Sequence, residues 1–343
     1  MKKNNSFLLL ILLVSTLAFS QDYIYKNQNM VMGSINPSFY GFGDSSKAGV
    51  IYSSEGFNQN TKMDNRFAFA NHYFDNNDFS LAVDVNSMQI SSLGYATNSA
   101  NLHYIYRTQL NEEWIFNPSV SVGFGSTKLD FNSLVFEDQL NVYTGSIVGI
   151  SNDPININNN VNYFDVGAGV SFYNTSDYFA NNSDVLLGAN IKHINRPETS
   201  FNSDESNIKD LFISLQTGIQ FDINQYNQGF LPYYSYLFLY NTFSKQGAKS
   251  RIDLYQEAIL GNIGFGLNQH FNNFDGFSVS QFGASLSVFI EEIEIGANYS
   301  VEMGGNKIAG ATYNTFEIYI TFDFNPFKKN RRGDNSRFYD LNN

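Results

Sequence analysis

Cysteine is absent from the 343-residue chain. Its absence excludes disulfide bonds, thiolate metal sites and cysteine nucleophiles together. Charged residues are scarce at 15%, compared with about 25% in an average soluble domain. They are also unbalanced, because 20 Lys and Arg stand against 32 Asp and Glu and leave a net charge of −12. We therefore expect no nucleic-acid partner, since phosphate backbones attract basic proteins.

Long apolar runs are missing beyond the first twenty residues. A membrane-spanning helix needs about 20 consecutive apolar residues, and no later segment provides them. Apolar residues nevertheless make up 43% of the chain, while its mean hydropathy is only −0.26. Apolar and polar residues must therefore alternate, which excludes a helical membrane protein and favours strands with two unlike faces.

The first twenty residues have the three parts of a secretory signal peptide. Lys2 and Lys3 are followed by an apolar run at 7–13 and by the small residues Ala18 and Ser20. We expect cleavage after Ser20 and export from the cytoplasm. A lipoprotein anchor is excluded because the chain has no cysteine.

The rest of the chain alternates with a period of two. In 316–324, one parity carries Phe and Ile, and the other carries Glu, Tyr, Thr and Asp. The stretches 164–172, 282–288 and 293–301 alternate in the same way, with Gly, Ser and Asn on the polar parity. A soluble β-sandwich usually carries Lys and Glu on its polar face. The observed pattern is typical of a transmembrane barrel, whose apolar face meets lipid and whose polar face lines the lumen.

We predict an all-β fold, a 14-stranded antiparallel transmembrane β-barrel of the outer membrane over residues 46–324. A signal peptide (1–20) and a periplasmic N-terminal segment (21–45) precede it, and a basic periplasmic tail (325–343) follows. Connections after even-numbered strands are expected to be shorter than those after odd-numbered ones. The candidate strands lie near 46–55, 63–73, 79–86, 96–107, 114–127, 162–173, 185–192, 211–221, 230–241, 251–260, 262–269, 277–289, 292–302 and 312–324.

Few residues offer catalytic chemistry. His72 and His103 fall on the polar parity of their strands and are predicted to face the lumen, but no motif places a nucleophile beside either. Glu292 and Glu294 form either an acidic lumen wall or a weak cation site. We expect no enzymatic activity, no cofactor and no bound metal. Gly123, Gly125, Gly264 and Gly266 lie inside strand patterns and are expected to make room for a plug or for a neighbouring chain.

Several segments together resemble the PorP/SprF family of outer-membrane proteins, which is found in Bacteroidota with type IX secretion. Residues 35–41 (INPSFYG) are similar to its Asn-Pro-Ala-Tyr-Ala-Gly segment, and 192–197 (KHINRP) to its His-x-Asn-x-Pro segment. Residues 129–138 and 163–169 resemble further family segments. In 315–318, Phe replaces a family His, so any role of that His does not carry over. The resemblance covers about 21–324.

The resemblance implies a non-enzymatic role with protein partners. Two segments are predicted to shape a docking surface, although they could instead be ordinary turns. The tail carries five basic and two acidic residues, and it either contacts an acidic partner or is a solvated end. The predicted partner-binding residues are Asn36, Pro37, Tyr40, His193, Asn195, Pro197, Lys328, Lys329, Arg331 and Arg332.

For function, the resemblance implies that the barrel binds, helps to export or anchors a secreted surface protein. That partner would be an adhesin of the gliding-motility type with a C-terminal sorting domain. One alternative is a link between the outer membrane and the periplasmic ring and motor of the secretion system. Another is a porin-like solute channel, in which the acidic lumen would favour cations. Outer-membrane lipid is the remaining expected contact.

Overall fold

The computed structural model describes most of the chain between residues 22 and 324. The predicted signal peptide and the basic tail, with Lys328, Lys329, Arg331 and Arg332, lie outside the described residues. The described ranges are 22–44, 46–56, 62–74, 77–111, 113–130, 139–141, 146–147, 159–174, 183–201, 206–223, 231–232, 235–273, 278–303 and 314–324.

Fourteen antiparallel strands form a closed barrel. Each strand pairs with its neighbours in the sequence, and β1 pairs with β14 to close the ring. Closure satisfies every strand edge, as a hydrocarbon surrounding requires. The strands are β1 Lys47–Gly56, β2 Lys62–Phe74, β3 Phe79–Ile90, β4 Tyr95–Tyr106, β5 Trp114–Leu129, β6 Asn160–Asn174, β7 Ser183–Lys192, β8 Phe212–Asp222, β9 Ser235–Gln246, β10 Lys249–Leu260, β11 Ile263–Asn272, β12 Ser278–Ile290, β13 Ile293–Glu302 and β14 Asn314–Asp323.

Shorter elements accompany the barrel. The two-residue strand Thr108–Gln109 pairs with the start of β5, and Leu140–Asn141 pairs with Ser146–Ile147 in a separate small sheet. A helical turn at Met32–Ile35 and a 3₁₀ helix at Pro37–Asp44 precede β1. No helix in the described ranges is long and apolar enough to cross a membrane.

The predicted fold class is confirmed, and all fourteen predicted strands overlap observed ones.

The predicted alternation of connection lengths is only partly correct. We call the end where β1 begins and β14 ends the base, and the opposite end the rim. Residues 247–248 join β9 to β10 at the rim with only two residues, whereas 223–234 span twelve residues at the base.

Alternation in the sequence gives the wall its two faces. On β5, Val120 and Val122 point outward and are about half exposed, whereas Ser119 and Ser121 point inward and are buried. This matches the apolar-out, polar-in pattern of membrane barrels. The prediction that His72 faces the lumen is wrong, because His72 is exposed on the outer face of β2. Its imidazole lies 2.9 Å from the hydroxyl of Ser46. His103 faces inward, as predicted.

Residues 22–44 lie inside the barrel rather than leading into it from the periplasm, which corrects the expected role of the N-terminal segment. We call these residues the plug. The plug supplies eight of the 26 buried apolar residues in the described part of the chain, and its side chains pack on inward-facing residues of the wall. Burial of this apolar surface explains why a segment without β or helical periodicity adopts one position. The buried apolar plug residues are Ile24, Tyr25, Met30, Val31, Ile35, Phe39, Tyr40 and Phe42.

Candidate functional site

The plug crosses the lumen from rim to base. Near the rim, the backbone N–H groups of Lys26 and Asn27 each donate to the carboxylate of Glu317 on β14, at 2.8 Å. Near the base, Asn117 on β5 donates to the carbonyl of Gly41 at 3.4 Å. Because Glu317 is fully buried, these bonds replace water that the carboxylate would otherwise bind. The wall therefore binds the plug backbone as well as its side chains.

Asn36 is the most highly connected plug side chain. Its amide group donates to the carbonyls of Val170 and Ala189 at 3.1 and 3.3 Å, and to the side-chain oxygen of Gln216 at 3.1 Å. Its oxygen accepts from the backbone and hydroxyl of Ser38 at 3.2 and 2.8 Å. Asn36 is therefore a structural residue that joins the plug to β6, β7 and β8.

Two glycines of the wall make room for this part of the plug. A Cβ atom at Gly169 on β6 would overlap the Asn36 side-chain oxygen, and one at Gly188 on β7 would lie 2.6 Å from the Phe39 ring. Larger residues at these positions would displace the plug. The glycines singled out in the sequence, Gly123, Gly125, Gly264 and Gly266, do not accommodate the plug in this way, because the atoms nearest a Cβ there belong to other strands of the wall.

Tyr40 joins the plug to a buried polar pair on the opposite wall. Its hydroxyl donates to Asp84 at 3.0 Å, and Asp84 also binds the imidazole of His103 at 2.8 Å. Asn101 donates to the other carboxylate oxygen at 2.7 Å. An Asp–His pair could orient a nucleophile in an enzyme, but Nδ1 of His103 has no hydrogen-bond partner. In the described residues the contacts of this pair link Tyr40 of the plug to β3 and β4.

A cluster of four ionisable residues at the rim fixes the start of the plug. We call Asp22, Asp165, His193 and Lys209 the rim latch. The two imidazole nitrogens of His193 lie 2.7 Å from Asp165 and 2.7 Å from Asp22, and Lys209 lies 2.8 Å from Asp22. Both nitrogens must donate, because ionised carboxylates only accept. His193 is therefore an imidazolium, and two positive charges balance two negative ones.

The pKa values of the rim latch reflect this charge balance. Burial alone would lower the pKa of His193, but the charge of Asp22 and the hydrogen bonds that His193 donates to both carboxylates raise it above its usual 6.5. Burial alone would raise the pKa of Asp22, but His193 and Lys209 hold it well below its usual 3.8. Both shifts favour the charged form of the residue, so the attached plug stabilises imidazolium at His193 and carboxylate at Asp22.

We predict that the attachment of residues 22–24 weakens as pH rises. A raised His193 pKa means that its contribution is complete below 6.5 and is lost as pH rises through the raised value. The lowered Asp22 pKa gives a contribution that is complete above 3.8 and is lost in stronger acid. His193→Ala should weaken attachment by about 2 kcal/mol, roughly a thirtyfold fall in protection. Hydrogen-exchange protection factors at 22–24 measure this effect.

The control for this prediction is His193→Gln, which keeps a polar side chain but does not titrate. Its protection factors should be low throughout and should show no step as pH rises above 6.5. The prediction is wrong if the protection of the native protein also shows no fall as pH rises above 6.5.

The segment that follows His193 is also fixed by contacts within the chain. The side chain of Asn195 donates to the carbonyl of Phe164 at 2.7 Å and accepts from the N–H of Val166 at 3.1 Å, so it pairs with the edge of β6. Buried Pro197 accepts from the N–H of Lys209 at 2.9 Å. These residues hold the connection 193–211 on the rim.

The structure thus gives the predicted partner-binding residues internal contacts. Asn36, Pro37 and Tyr40 are buried in the lumen, so in this arrangement none of them forms an outer docking surface. Among the residues predicted in the 193–211 connection, Asn195 is the exposed one. Sequence analysis missed Asp22, Lys209 and Glu317, because their partners lie up to 291 positions away.

Little space remains between plug and wall. Two of the cavities beside the plug measure about 110 and 100 Å³, enough for a few waters. A larger recess of about 1260 Å³ is lined mainly by outward-facing apolar side chains, including Val50, Val85 and Phe164, and suits lipid. Within the described ranges, no group of three or more His, Asp or Glu side chains is placed to hold a metal ion.

A closed 14-stranded sheet with an apolar outer face, a polar inner face and a filled lumen defines a plugged β-barrel of the outer-membrane class. The model of the family "Type IX secretion system membrane protein PorP/SprF" matches residues 17–322. The chain belongs to this family. No curated protein matches the chain.

Solved outer-membrane proteins share the barrel at low sequence identity. The toluene transporter TodX of Pseudomonas putida is 8% identical, with coverage of 89% of this chain and 95% of TodX and a TM-score of 0.45. Omp33 of Acinetobacter baumannii is 11% identical, with coverage of 82% and 100% and a TM-score of 0.42. The KdgM porin is 10% identical, with coverage of 80% and 99% and a TM-score of 0.37. These likenesses carry no argument about function.

Proposed function

We propose that this barrel is a non-enzymatic component of type IX secretion that binds a secreted surface protein. It would help to export that protein or anchor it at the cell surface. The single observation that carries the proposal is the filled lumen of a chain that belongs to a secretion family. A lumen packed with side chains leaves the rim and the tail, rather than a pore, as the places where the protein can act.

The rim offers a surface of suitable chemistry. Within the connection 193–211, Glu198 pairs with Ile208, and the backbone N–H of Thr199 donates to the carbonyl of Asn207 at 2.8 Å. Ile194 and Ile208 are 45% and 47% exposed on it. Exposed apolar side chains on a rigid frame suit a protein partner. In this proposal the rim faces the cell exterior, and Asn195 lies within the contact surface.

We predict that a tagged protein, expressed at native level and extracted gently from its own outer membrane, co-purifies with one large secreted surface protein bearing a C-terminal sorting domain. Substituting Ile194 and Ile208 by Ser should remove most of that partner, because the apolar contact is lost. Leu93→Ser is the matched control, since Leu93 is also 45% exposed at the rim but lies in another connection. Mass spectrometry identifies and quantifies the partner.

Other outcomes separate the alternatives. Recovery of periplasmic ring and motor subunits, lost on deletion of 325–343, would favour a link between outer membrane and motor. Absence of any stoichiometric partner, together with ion conductance by the intact protein, would favour a channel and contradict the proposal.

A further inference from the structure

A belt of uncharged polar side chains crosses the lipid-facing surface of four adjacent strands. It consists of Thr217 on β8, Asn241 on β9, Gln256 on β10 and Gln269 on β11. All four have outward parity, since the residues on either side of them in sequence point into the lumen and are buried. We call these four residues the polar belt. It is independent of the plug and of the proposed function.

The strand register makes the polar belt continuous. Thr217 pairs with Asn241, Asn241 with Leu254, and Leu254 with Gln269, so these positions lie on one line across the four strands. Gln256 is two residues from Leu254 toward the base. Asn241 donates to the hydroxyl of Thr217 at 3.5 Å, and Gln269 donates to the oxygen of Gln256 at 3.4 Å.

The polar belt lies within the apolar band rather than at its margin. On every one of the four strands, the next outward residue toward the rim and the next toward the base are both apolar. The flanking residues are Leu215 and Ile219 on β8, Phe243 and Leu239 on β9, Leu254 and Ala258 on β10, and Phe271 and Leu267 on β11.

Other parts of the wall carry aliphatic residues near the centres of their strands. On β3, β5, β13 and β14 the outward residues near the strand centre are aliphatic, including Val83, Val122, Ala297 and Ile320. Hydrocarbon cannot hydrogen-bond an amide, so polar groups facing lipid are costly unless a protein partner pairs with them. The two hydrogen bonds within the polar belt use only part of its capacity, because each carboxamide has two donor hydrogens and an acceptor oxygen.

We propose that the polar belt is an intramembrane contact surface for a second copy of this chain. A carboxamide is both a hydrogen-bond donor and an acceptor. Two copies related by a two-fold axis along the membrane normal would therefore place carboxamides opposite carboxamides, and each could bond to its counterpart. Two copies inserted in one bilayer present the belt at equal depth. The belt is also uncharged, so identical surfaces do not repel each other. The large apolar side chains around it add packing contact.

The absence of native cysteine makes the test direct. A single cysteine replaces Leu239, which points outward beside the polar belt, in the full-length chain in its own outer membrane. Val83→Cys is the matched control, because Val83 points outward near the centre of β3, six strands away from β9. Oxidation with copper phenanthroline should convert most of L239C into a disulfide-linked dimer and leave V83C monomeric.

A second variant tests whether the dimer depends on the carboxamide groups of the polar belt or only on chance encounters between barrels. Combining L239C with Asn241→Leu, Gln256→Leu and Gln269→Leu should abolish the dimer while the barrel stays folded, as judged by its heat-modifiable migration in gels. The proposal is overturned if L239C forms no more dimer than V83C. It is also overturned if the leucine variant still forms the dimer, or if L239C captures a different protein.

Discussion

Deleting residues 22–44 is expected to convert a barrel that is silent in a planar lipid bilayer into one that conducts ions. Barrels of eight strands are filled by their own side chains, whereas those of sixteen or more enclose aqueous channels, and fourteen strands lie between. The plug occupies the space that would otherwise be water. We expect the conductance of the deletion variant to exceed that of the intact protein by about tenfold or more.

The open lumen should also select cations. Its wall has six buried carboxylates, and the buried Lys26 leaves together with the plug. Rings of carboxylates favour cations in pores, so the reversal potential in a KCl gradient should shift toward the potassium value. The buried acidic residues of the wall are Asp84, Asp184, Asp253, Glu257, Glu294 and Glu317.

The deletion removes much of the core, so folding needs its own control. A folded but unplugged barrel retains heat-modifiable migration in gels. Glu317→Ala provides a second route, because it removes the acceptor for two plug N–H groups and leaves every residue of the plug in place. A folded deletion barrel that stays silent, or an intact protein that conducts equally well, would show that the plug does not close the lumen.

Asn36→Ala should be among the most destabilising single substitutions in the plug. It removes an NH2 group whose two hydrogens serve three acceptors, and an oxygen that accepts two hydrogen bonds, from a fully buried site. We expect a loss of about 3 kcal/mol in the free energy of unfolding. Asn36→Asp should cost more, since its carboxylate would face two carbonyls and the oxygen of Gln216. The amide of Gln216 cannot turn freely, because it donates to Ser214 at 2.7 Å.

Asn29→Ala is the matched control for Asn36. Asn29 is a buried asparagine of the same plug, with one side-chain hydrogen bond, to Glu257 at 3.1 Å. Its loss should cost about 1 kcal/mol. Urea unfolding in lipid vesicles, followed by the fluorescence of the single tryptophan, Trp114, measures both variants. Equal costs for the two substitutions would contradict the assignment of Asn36 as the main junction.

A double-mutant cycle sharpens the same assignment. Gly169→Ala alone should destabilise the protein, because its Cβ would overlap the Asn36 side chain. In the Asn36→Ala background that overlap is gone, so the second substitution should cost much less. Additive costs would mean that the two residues do not contact each other in solution.

The strands could be predicted from sequence because lipid and lumen impose opposite chemistry on alternate residues. The prediction was least accurate where this contrast disappears. In β9, predicted at 230–241 and observed at Ser235–Gln246, the inward Tyr236, Phe238 and Tyr240 are as apolar as the outward residues. Phe39 of the plug packs against Tyr240, with ring centroids 6.5 Å apart, so this part of the lumen wall is itself apolar.

The plug could not be predicted in the same way. It has no repeating pattern, because its surroundings change at every residue rather than at every second one. Its polar residues are satisfied by partners far away in sequence, such as Glu317 for Lys26 and Asn27. The His193 segment was recognised, but its contact with Asp22 depends on where the plug begins. The spacing of residues within one sequence segment does not predict contacts with residues far away in the chain.

The contacts between the plug and β14 have a consequence for the order of biogenesis. Residues 22–44 emerge first from translation and export, yet the carboxylate that binds Lys26 and Asn27 arrives 291 and 290 positions later. Native contacts of such high sequence separation form late in folding. The contacts of Lys26 and Asn27 can therefore form only after the last strand is inserted, whereas Asn36 and Tyr40 bind strands that arrive earlier. Sealing the β1–β14 seam then also completes the attachment of the first plug residues, and a chain truncated before β14 would leave residues 26 and 27 open to periplasmic proteases.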